Sequence, residues 1–140
     1  MDFSFTDEQQ ATAELAAQIL GDRSTHARLR DLERSGAPRF DADTWGELAK
    51  AGLLGIAVPE ALGGAGLGIL ELAGILRATG RTAAAVPTWE TLALGALPIA
   101  QFGSAELQAR WLPGVADGSV LLTATWHEDD RDPQRARALR

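Results

Sequence analysis

A glycine-rich stretch at residues 62–68 is the first feature of the sequence with chemical potential, because backbone amides of such loops can cradle phosphate groups. A Walker A loop ends in glycine, lysine and serine or threonine, and this stretch has no lysine. A dinucleotide-binding loop has the spacing G-x-G-x-x-G within a βαβ unit, whereas the spacing here is G-x-G-x-G after helical segments. We therefore interpret the stretch as a tight connection between two helices.

Residues 127–130, with the sequence His-Glu-Asp-Asp, contain the side-chain types that bind metals. Adjacent residues rarely converge on one ion, and the other histidine, His26, is distant in the sequence. We interpret this stretch as a solvated, charged turn and predict no metal site.

Glu90 lies in the most apolar segment of the chain, so its carboxylate must face solvent, a partner or a cavity. An exposed helix face is the ordinary explanation. The four tryptophans are expected to be mostly core anchors, and Trp126 is the one expected to contact something else. No catalytic triad, carboxylate pair or nucleophile elbow is recognisable, so no catalytic residue is predicted.

Composition excludes several classes of protein. The net charge of −6 argues against a general nucleic-acid binder, which needs a basic face. The absence of cysteine excludes disulfides and thiolate catalysis. No apolar run is long enough to span a membrane, and no secretory signal is recognisable at the N-terminus, so we expect a cytoplasmic protein.

The first half of the chain is predicted to be helical. Thr6 and Gln9 fit a capping box that begins a first helix, with a more polar continuation up to about residue 36. Asp41 is the predicted N-cap of a second helix, with Phe40 and Trp45 at the two positions of a hydrophobic staple. The apolar residues 53–59 that follow are predicted to be a buried, extended connector.

The second half is predicted to contain three more helices. One begins near Ile69 and ends before Gly80, and the next is capped by Thr88 and interrupted by Pro98. A short fifth helix over residues 104–112 is expected to end at the proline that follows.

Residues 120–126 are rich in strand-forming side chains, and the charged residues after them contain no second strand. A lone strand is not stable in water. The sequence therefore predicts that this chain is part of a larger protein.

Three motifs, taken in order, resemble the N-terminal half of the acyl-CoA dehydrogenase family. They are Phe-Thr-Asp-Glu-Gln at residues 5–9, Gly-Leu-Leu-Gly-Ile-Ala-Val-Pro-Glu at residues 52–60 followed by Gly-Gly-Ala-Gly, and Gly-Ser-Ala-Glu-Leu-Gln at residues 103–108 followed by Trp-Leu-Pro and Gly118. The resemblance covers nearly all of residues 3–128. It implies an all-α, orthogonal bundle of about five helices at residues 3–117, followed by one β-strand that begins a middle β domain at residues 118–140.

The resemblance also implies a function, the α,β-dehydrogenation of an acyl-CoA thioester with FAD as hydride acceptor, in fatty acid or lipid catabolism. The family's catalytic glutamate belongs to a C-terminal portion outside this chain, so we expect no activity from the chain alone. Pro87, Glu90 and Leu94 match positions that line the acyl pocket, and Trp126 and His127 match positions that touch the isoalloxazine. The expected partners are acyl-CoA and the remaining domains of the same protein or of a related subunit, in a homo- or hetero-tetramer.

Two departures from the family pattern support an alternative hypothesis. His127 stands where a hydroxyl residue is usual, and Asp129 replaces a proline. The alternative is a non-catalytic helical interaction module, or a degenerate partner subunit of a mixed acyl-CoA dehydrogenase complex.

Overall fold

The computed structural model describes residues 4–36 and 38–124, and this part of the chain is helical, as predicted. Six α-helices and one π-helical segment account for most of it. None of the helices in these ranges is both long enough and apolar enough to cross a lipid bilayer. The elements are α1 (Asp7–Arg23), α2 (His26–Arg34), α3 (Ala42–Lys50), α4 (Ile69–Thr82), the π segment (Trp89–Ala96), α5 (Leu97–Phe102) and α6 (Ala105–Ala116).

Helix α1 begins with the predicted capping box. The amide of Gln9 donates to Thr6 Oγ1 over 3.2 Å, and the amide of Thr6 donates to Gln9 Oε1 over 3.1 Å. The predicted polar continuation is a separate helix, because Thr25 caps a new N-terminus by accepting from the amide of Arg28 over 3.2 Å. Thr12, Ala16 and Leu20 form the buried stripe of α1.

Helix α3 begins as predicted at Asp41, whose Oδ1 accepts from the amide of Thr44 over 3.2 Å. The rings of Phe40 and Trp45 meet edge to face with centroids 6.2 Å apart, which confirms the hydrophobic staple. Gly52 ends this region with φ +74°, a left-handed conformation that glycine adopts without strain.

The connector at residues 53–59 is largely buried, as predicted, but it is not extended. Residues Leu53–Gly55 form a 3₁₀ turn, and Glu60–Leu62 form a second one after the proline. The turns bring Leu54 and Val58 into the core, where each is about 1% exposed. A connector folded into 3₁₀ turns buries more apolar surface per residue than an extended connector would.

Two predicted helix ends are wrong. Helix α4 passes through Gly80 and continues to Thr82. The helix ends there because the next residue, Ala83, has the left-handed conformation, with φ 49°. Helix α6 passes through Pro113 and continues to Ala116. Pro113 removes only the hydrogen bond to the carbonyl of Ala109, and Ala109 is exposed, so water can hydrate that carbonyl.

The helix predicted from residue 88 differs in two ways. Thr88 is not an N-cap, because its backbone is already helical at φ −63° and ψ −41°, and its hydroxyl donates instead to Thr79 Oγ1 over 3.1 Å. The predicted interruption near Pro98 appears as a change of helix type, from the π segment to α5 at Leu97. Helix α6 then begins, as predicted, at Ser104, which accepts from the amide of Leu107.

The core lies between α1, α3, α4 and α6. Helix α1 packs along α4, where the small residues Ala13 and Gly74 face each other and let the two backbones approach closely. Helix α6 packs on the 3₁₀ turn that follows α3. The largest fully buried apolar side chains are Leu20, Leu48, Leu54, Val58, Leu72, Ile75, Leu112 and Val115.

Residues 118–122, which we call the docked segment, lie against the helices rather than apart from them. The amide of Val120 donates to the carbonyl of Gly114 over 2.8 Å, and the carbonyl of Leu122 accepts from a side chain of the π segment. Residues 120–124, the described part of the predicted strand, form no sheet ladder with any residue in the described ranges. The rest of the predicted strand lies outside the described residues.

Candidate functional site

The resemblance assigns three residues to the acyl pocket: Glu90 and Leu94 lie in the π segment, and Pro87 lies two residues before it. The carbonyl of Pro87 accepts from the amide of Thr91 over 2.9 Å and so belongs to the first turn of this helical stretch. The helix type is set by bonds between residues five apart, such as the amide of Leu97 donating to the carbonyl of Leu92. π-Helical turns are rare and are frequently found at functional sites.

The π segment has one buried face and one open face. Thr91, Leu92, Gly95 and Ala96 are buried, whereas Trp89 is 56% exposed and Glu90 is exposed as well. The outer face therefore presents a carboxylate beside a large indole.

Leu94 lies one turn after Glu90 and is half-buried, as is Pro87. Positions four apart lie on the same side of a helix, so Glu90 and Leu94 share the open face. The structure thus brings the predicted pocket residues together on one short stretch. No cation in the described part of the chain forms an ion pair with Glu90. A bound group that covers this face would have to remove water from the exposed carboxylate.

The buried face of the π segment contacts the docked segment. The hydroxyl of Thr91, which is fully buried, donates to the carbonyl of Leu122 over 3.0 Å. Gly95 lies one turn further along, and a methyl group on its Cα would overlap Leu122 Cβ. The same helical turn therefore has Glu90 and Leu94 on its outer side and the docked segment on its inner side.

The glycine-rich loop is closed to phosphate, which confirms the interpretation as a tight connection. The amides of residues 63–67 all donate to backbone carbonyls of residues 55–60, with N···O distances of 2.8–3.2 Å. The amide of Gly68 donates to Glu71 Oε2 over 2.9 Å. Since a phosphate cradle needs free amides, this loop has no donors left to form one.

A match to a protein family decides the identity of this bundle. The family model described as "Acyl-CoA dehydrogenase, N-terminal domain" matches residues 6–119. The chain belongs to the acyl-CoA dehydrogenase family. The resemblance inferred from the three sequence motifs is thereby confirmed.

Among curated proteins, the acyl-CoA dehydrogenase FadE27 of Mycobacterium tuberculosis is 40% identical over 123 residues, which cover 88% of this chain and 33% of FadE27. FadE28 of the same organism is 38% identical over 124 residues, covering 89% of this chain and 31% of FadE28. The chain therefore spans about a third of the length of the curated relatives that it matches.

Solved structures of acyl-CoA dehydrogenases show the same fold. A variant of the Tcur3481-Tcur3483 steroid acyl-CoA dehydrogenase is 51% identical with a TM-score of 0.77, covering 84% of this chain and 32% of that one. The ChsE4-ChsE5 complex from Mycobacterium tuberculosis is 40% identical with a TM-score of 0.81, covering 88% and 34%. An acyl-CoA dehydrogenase from Bacillus anthracis, complexed with FAD, is 28% identical with a TM-score of 0.71, covering 85% and 21%.

The two residues that the family resemblance assigns to flavin, Trp126 and His127, lie outside the described residues, as do the acidic residues 128–130. Within the described ranges, no three histidine, cysteine, aspartate or glutamate side chains converge as metal ligands would.

An ion-pair cluster that sequence reasoning missed joins α2 to α3 in this acyl-CoA dehydrogenase domain. Arg28 Nε and Nη2 donate to the two carboxylate oxygens of Asp41 over 2.9 and 2.8 Å, and Nη2 also donates to Asp43 Oδ2 over 2.8 Å. The hydrogen bonds from Arg28 to Asp41 lower the pKa of Asp41 to about 2. Burial opposes this shift, and the hydrogen bond from the amide of Thr44 adds to it. The only sequence signal was an N-cap acid followed two residues later by a second acid.

Thr91 and Gly95 were also missed. Their signal was a polar and a small residue four positions apart within a strongly apolar helix, where larger side chains would bury more surface. Such a pair indicates that another backbone approaches closely on that side.

Proposed function

We propose that this chain is the N-terminal helical domain of an FAD-dependent acyl-CoA dehydrogenase-like oxidoreductase, and that it forms one wall of the acyl-CoA pocket. The helical domain spans residues 3–117 in this proposal, and residues 118–140 begin the middle β domain. The observation that carries the proposal is the open face of the π segment, where Glu90 and Leu94 lie beside an exposed indole, with the half-buried Pro87 two residues before the segment.

The chemistry follows from the family. The complete protein removes the α-proton of an acyl-CoA thioester, and FAD, when bound, accepts the β-hydride. The catalytic base belongs to a portion of the protein outside this chain. The contribution of this chain is to bind and orient the acyl group, with Leu94 and Trp89 as apolar contacts and Glu90 as a polar boundary. Trp126 and His127 are proposed to contact the flavin.

The substrate class that we propose is a CoA thioester with a bulky, ring-bearing acyl group such as a steroid. The 51%-identical relative is described as a steroid acyl-CoA dehydrogenase, which supports this choice. The open face also suits a broad apolar ligand, because Trp89 is 56% exposed rather than folded into the core.

A second candidate function is a non-catalytic partner subunit in a mixed complex. The departures at His127 and Asp129 favour it, since these residues replace the usual hydroxyl and proline at the predicted flavin contact. The ChsE4-ChsE5 relative is a complex of two different proteins, which supports a hetero-oligomeric assembly for this chain as well.

The test uses the complete protein that carries this chain, purified with its remaining domains and with any subunit that co-purifies. The proposal expects a flavin absorbance spectrum that bleaches when a steroid acyl-CoA is added without an external oxidant. A protein that holds no flavin alone, but restores flavin and bleaching to a related subunit on mixing, would establish the partner-subunit function instead. Absence of flavin and of bleaching in both preparations would overturn the proposal.

A further inference from the structure

The docked segment, residues 118–122, is held by three separate helical elements. Helix α3 contributes Trp45, whose indole Nε1 donates to the carbonyl of Gly118 over 3.0 Å. Helix α6 contributes the carbonyl of Gly114, which accepts from the amide of Val120 over 2.8 Å. The π segment contributes the hydroxyl of Thr91. Each of these three hydrogen bonds is made to the backbone of the docked segment.

Two glycines allow the docked segment to approach this closely. A methyl group on Gly114 would press against the side chain of Val120, and one on Gly95 would overlap Leu122 Cβ. In the second case the opposing atom is attached directly to the backbone, so relief requires a shift of the docked segment itself. Gly95 and Thr91 are one turn apart on the same buried face, and together they form a seat for Leu122.

Within the described residues, the hydroxyl of Thr91 forms a hydrogen bond with the docked segment and with no other group. Its hydroxyl makes its single side-chain hydrogen bond to Leu122, and its side chain is 0% exposed. Its neighbour Thr88, also buried, uses its hydroxyl to reach Thr79 in α4 instead. Thr88 therefore joins this helical stretch to α4, whereas Thr91 joins it to the docked segment. Substituting each threonine separately distinguishes the effects of losing these two contacts.

We propose that Thr91 is a positioning residue that sets the distance between the acyl-facing side of the π segment and the chain that leads toward the flavin. This inference rests on the proposed function, in which Glu90 and Leu94 contact the acyl group and residues shortly after the docked segment contact the cofactor. Thr91 touches neither ligand. It acts through the carbonyl of Leu122, and because hydride transfer is sensitive to displacements of about 1 Å, a released docked segment would slow the reaction.

The experiment compares Thr91→Val with Thr88→Val in the complete protein. Valine has the shape of threonine without the hydroxyl, so each variant loses one buried hydrogen bond from the same helical stretch. We expect Thr91→Val to lower kcat about tenfold or more, with KM for acyl-CoA changed less than about twofold, and to shift the flavin absorbance maximum. Hydrogen exchange of residues 118–124 should become about fivefold faster, as expected for the loss of one hydrogen bond.

Thr88→Val should change neither kcat nor the exchange of residues 118–124, and Thr91→Ser, which keeps the donor, should restore most of kcat. Gly95→Ala should displace the docked segment sterically, because the added methyl group would overlap Leu122 Cβ. This variant should therefore show the same decrease in kcat, and it provides the test if Thr91→Val fails to fold. Equal effects of Thr91→Val and Thr88→Val, or unchanged exchange in both Thr91→Val and Gly95→Ala, would overturn the inference. If the wild-type protein holds no flavin, the proposed function fails, and the exchange measurement alone decides whether Thr91 positions the docked segment.

Discussion

The indole Nε1 of Trp45 donates a hydrogen bond to the carbonyl oxygen of Gly118 over 3.0 Å, joining residues that are 73 positions apart in the sequence. Trp45 is 3% exposed, and its ring also meets Phe40 edge to face. The glycine has φ +82°, and a methyl group on its Cα would lie 3.3 Å from the indole nitrogen and 3.2 Å from Leu54 Cδ1 in the core. The relationship links the N-terminal third of the bundle to the point where the chain leaves α6.

Trp45→Phe should destabilise the domain by about 2 kcal/mol. The change removes the donor for the Gly118 carbonyl and leaves a smaller ring in a closely packed site. Urea unfolding followed by circular dichroism measures the free energy of unfolding. Trp89→Phe is the matched control, because Trp89 is 56% exposed and its substitution should change the free energy by less than about 0.5 kcal/mol. Equal effects of the two substitutions would contradict the importance of the Trp45 contact.

Asp41 should make the free energy of unfolding depend on pH in the acidic range. Its pKa in the folded protein is about 2, below the ordinary 3.8, because Arg28 donates hydrogen bonds to the ionised form. A depressed pKa means that the stabilisation is complete above about pH 4 and is lost as the pH falls toward about 2. Asp41→Asn keeps an N-cap side chain but has no charge, so its unfolding free energy should fall less over this range and should be lower than that of the wild type at pH 7.

Asp43→Asn is the control for that titration. Asp43 contacts the same arginine, but its side chain is 75% exposed, so the substitution should have little effect on the pH profile. Parallel profiles for the wild type and Asp41→Asn between pH 4 and pH 2 would show that the ion pair does not contribute in the way described.

The beginnings of α1 and α3 were predictable because capping is local, whereas Thr88 was wrongly predicted as an N-cap. Thr6 and Asp41 each accept from an amide three residues later, and that spacing is visible in the sequence. Helix ends were less predictable. Gly80 and Pro113 are ordinary stop signals, yet both helices pass through them. Beyond Pro113 the buried side chain of Val115 stabilises the last turn of α6. Beyond Gly80 the hydroxyl of Thr82 donates to the carbonyl of Ala78 over 3.0 Å.

The candidate site was predictable only on its outer face. Glu90 is visible in the sequence as a carboxylate in an apolar run, and a resemblance assigns it a role. The inner face depends on a hydrogen bond between Thr91 and Leu122, which are 31 positions apart, and no local pattern specifies which carbonyl a buried hydroxyl will meet. The same holds for the 13-residue separation between Arg28 and Asp41.

The glycine-rich loop gives a prediction that separates a structural role from a ligand-binding one. Gly64→Ala should destabilise the domain by about 3 kcal/mol, because the added methyl would overlap the backbone carbonyl of Val58. Gly46→Ala in α3 should instead stabilise it by about 0.5 kcal/mol, since space there is open and alanine favours helix. Thermal unfolding of the two variants and the wild type measures both changes: the melting temperature should fall for Gly64→Ala and rise for Gly46→Ala. A Gly64→Ala variant with wild-type stability would contradict the packing described for this loop.

The open face of the π segment gives a kinetic prediction for the complete protein. An acyl group that covers Glu90 must remove water from a carboxylate that no cation in the described residues pairs with, which costs binding free energy. Glu90→Leu should therefore lower KM for an apolar acyl-CoA about fivefold, with kcat little changed, because the added contact stabilises ground state and transition state alike. Glu106→Leu, an exposed glutamate in the first turn of α6, should leave KM unchanged. Steady-state kinetics with an apolar acyl-CoA decides the matter, and identical KM values for wild type and Glu90→Leu would remove Glu90 from the pocket wall.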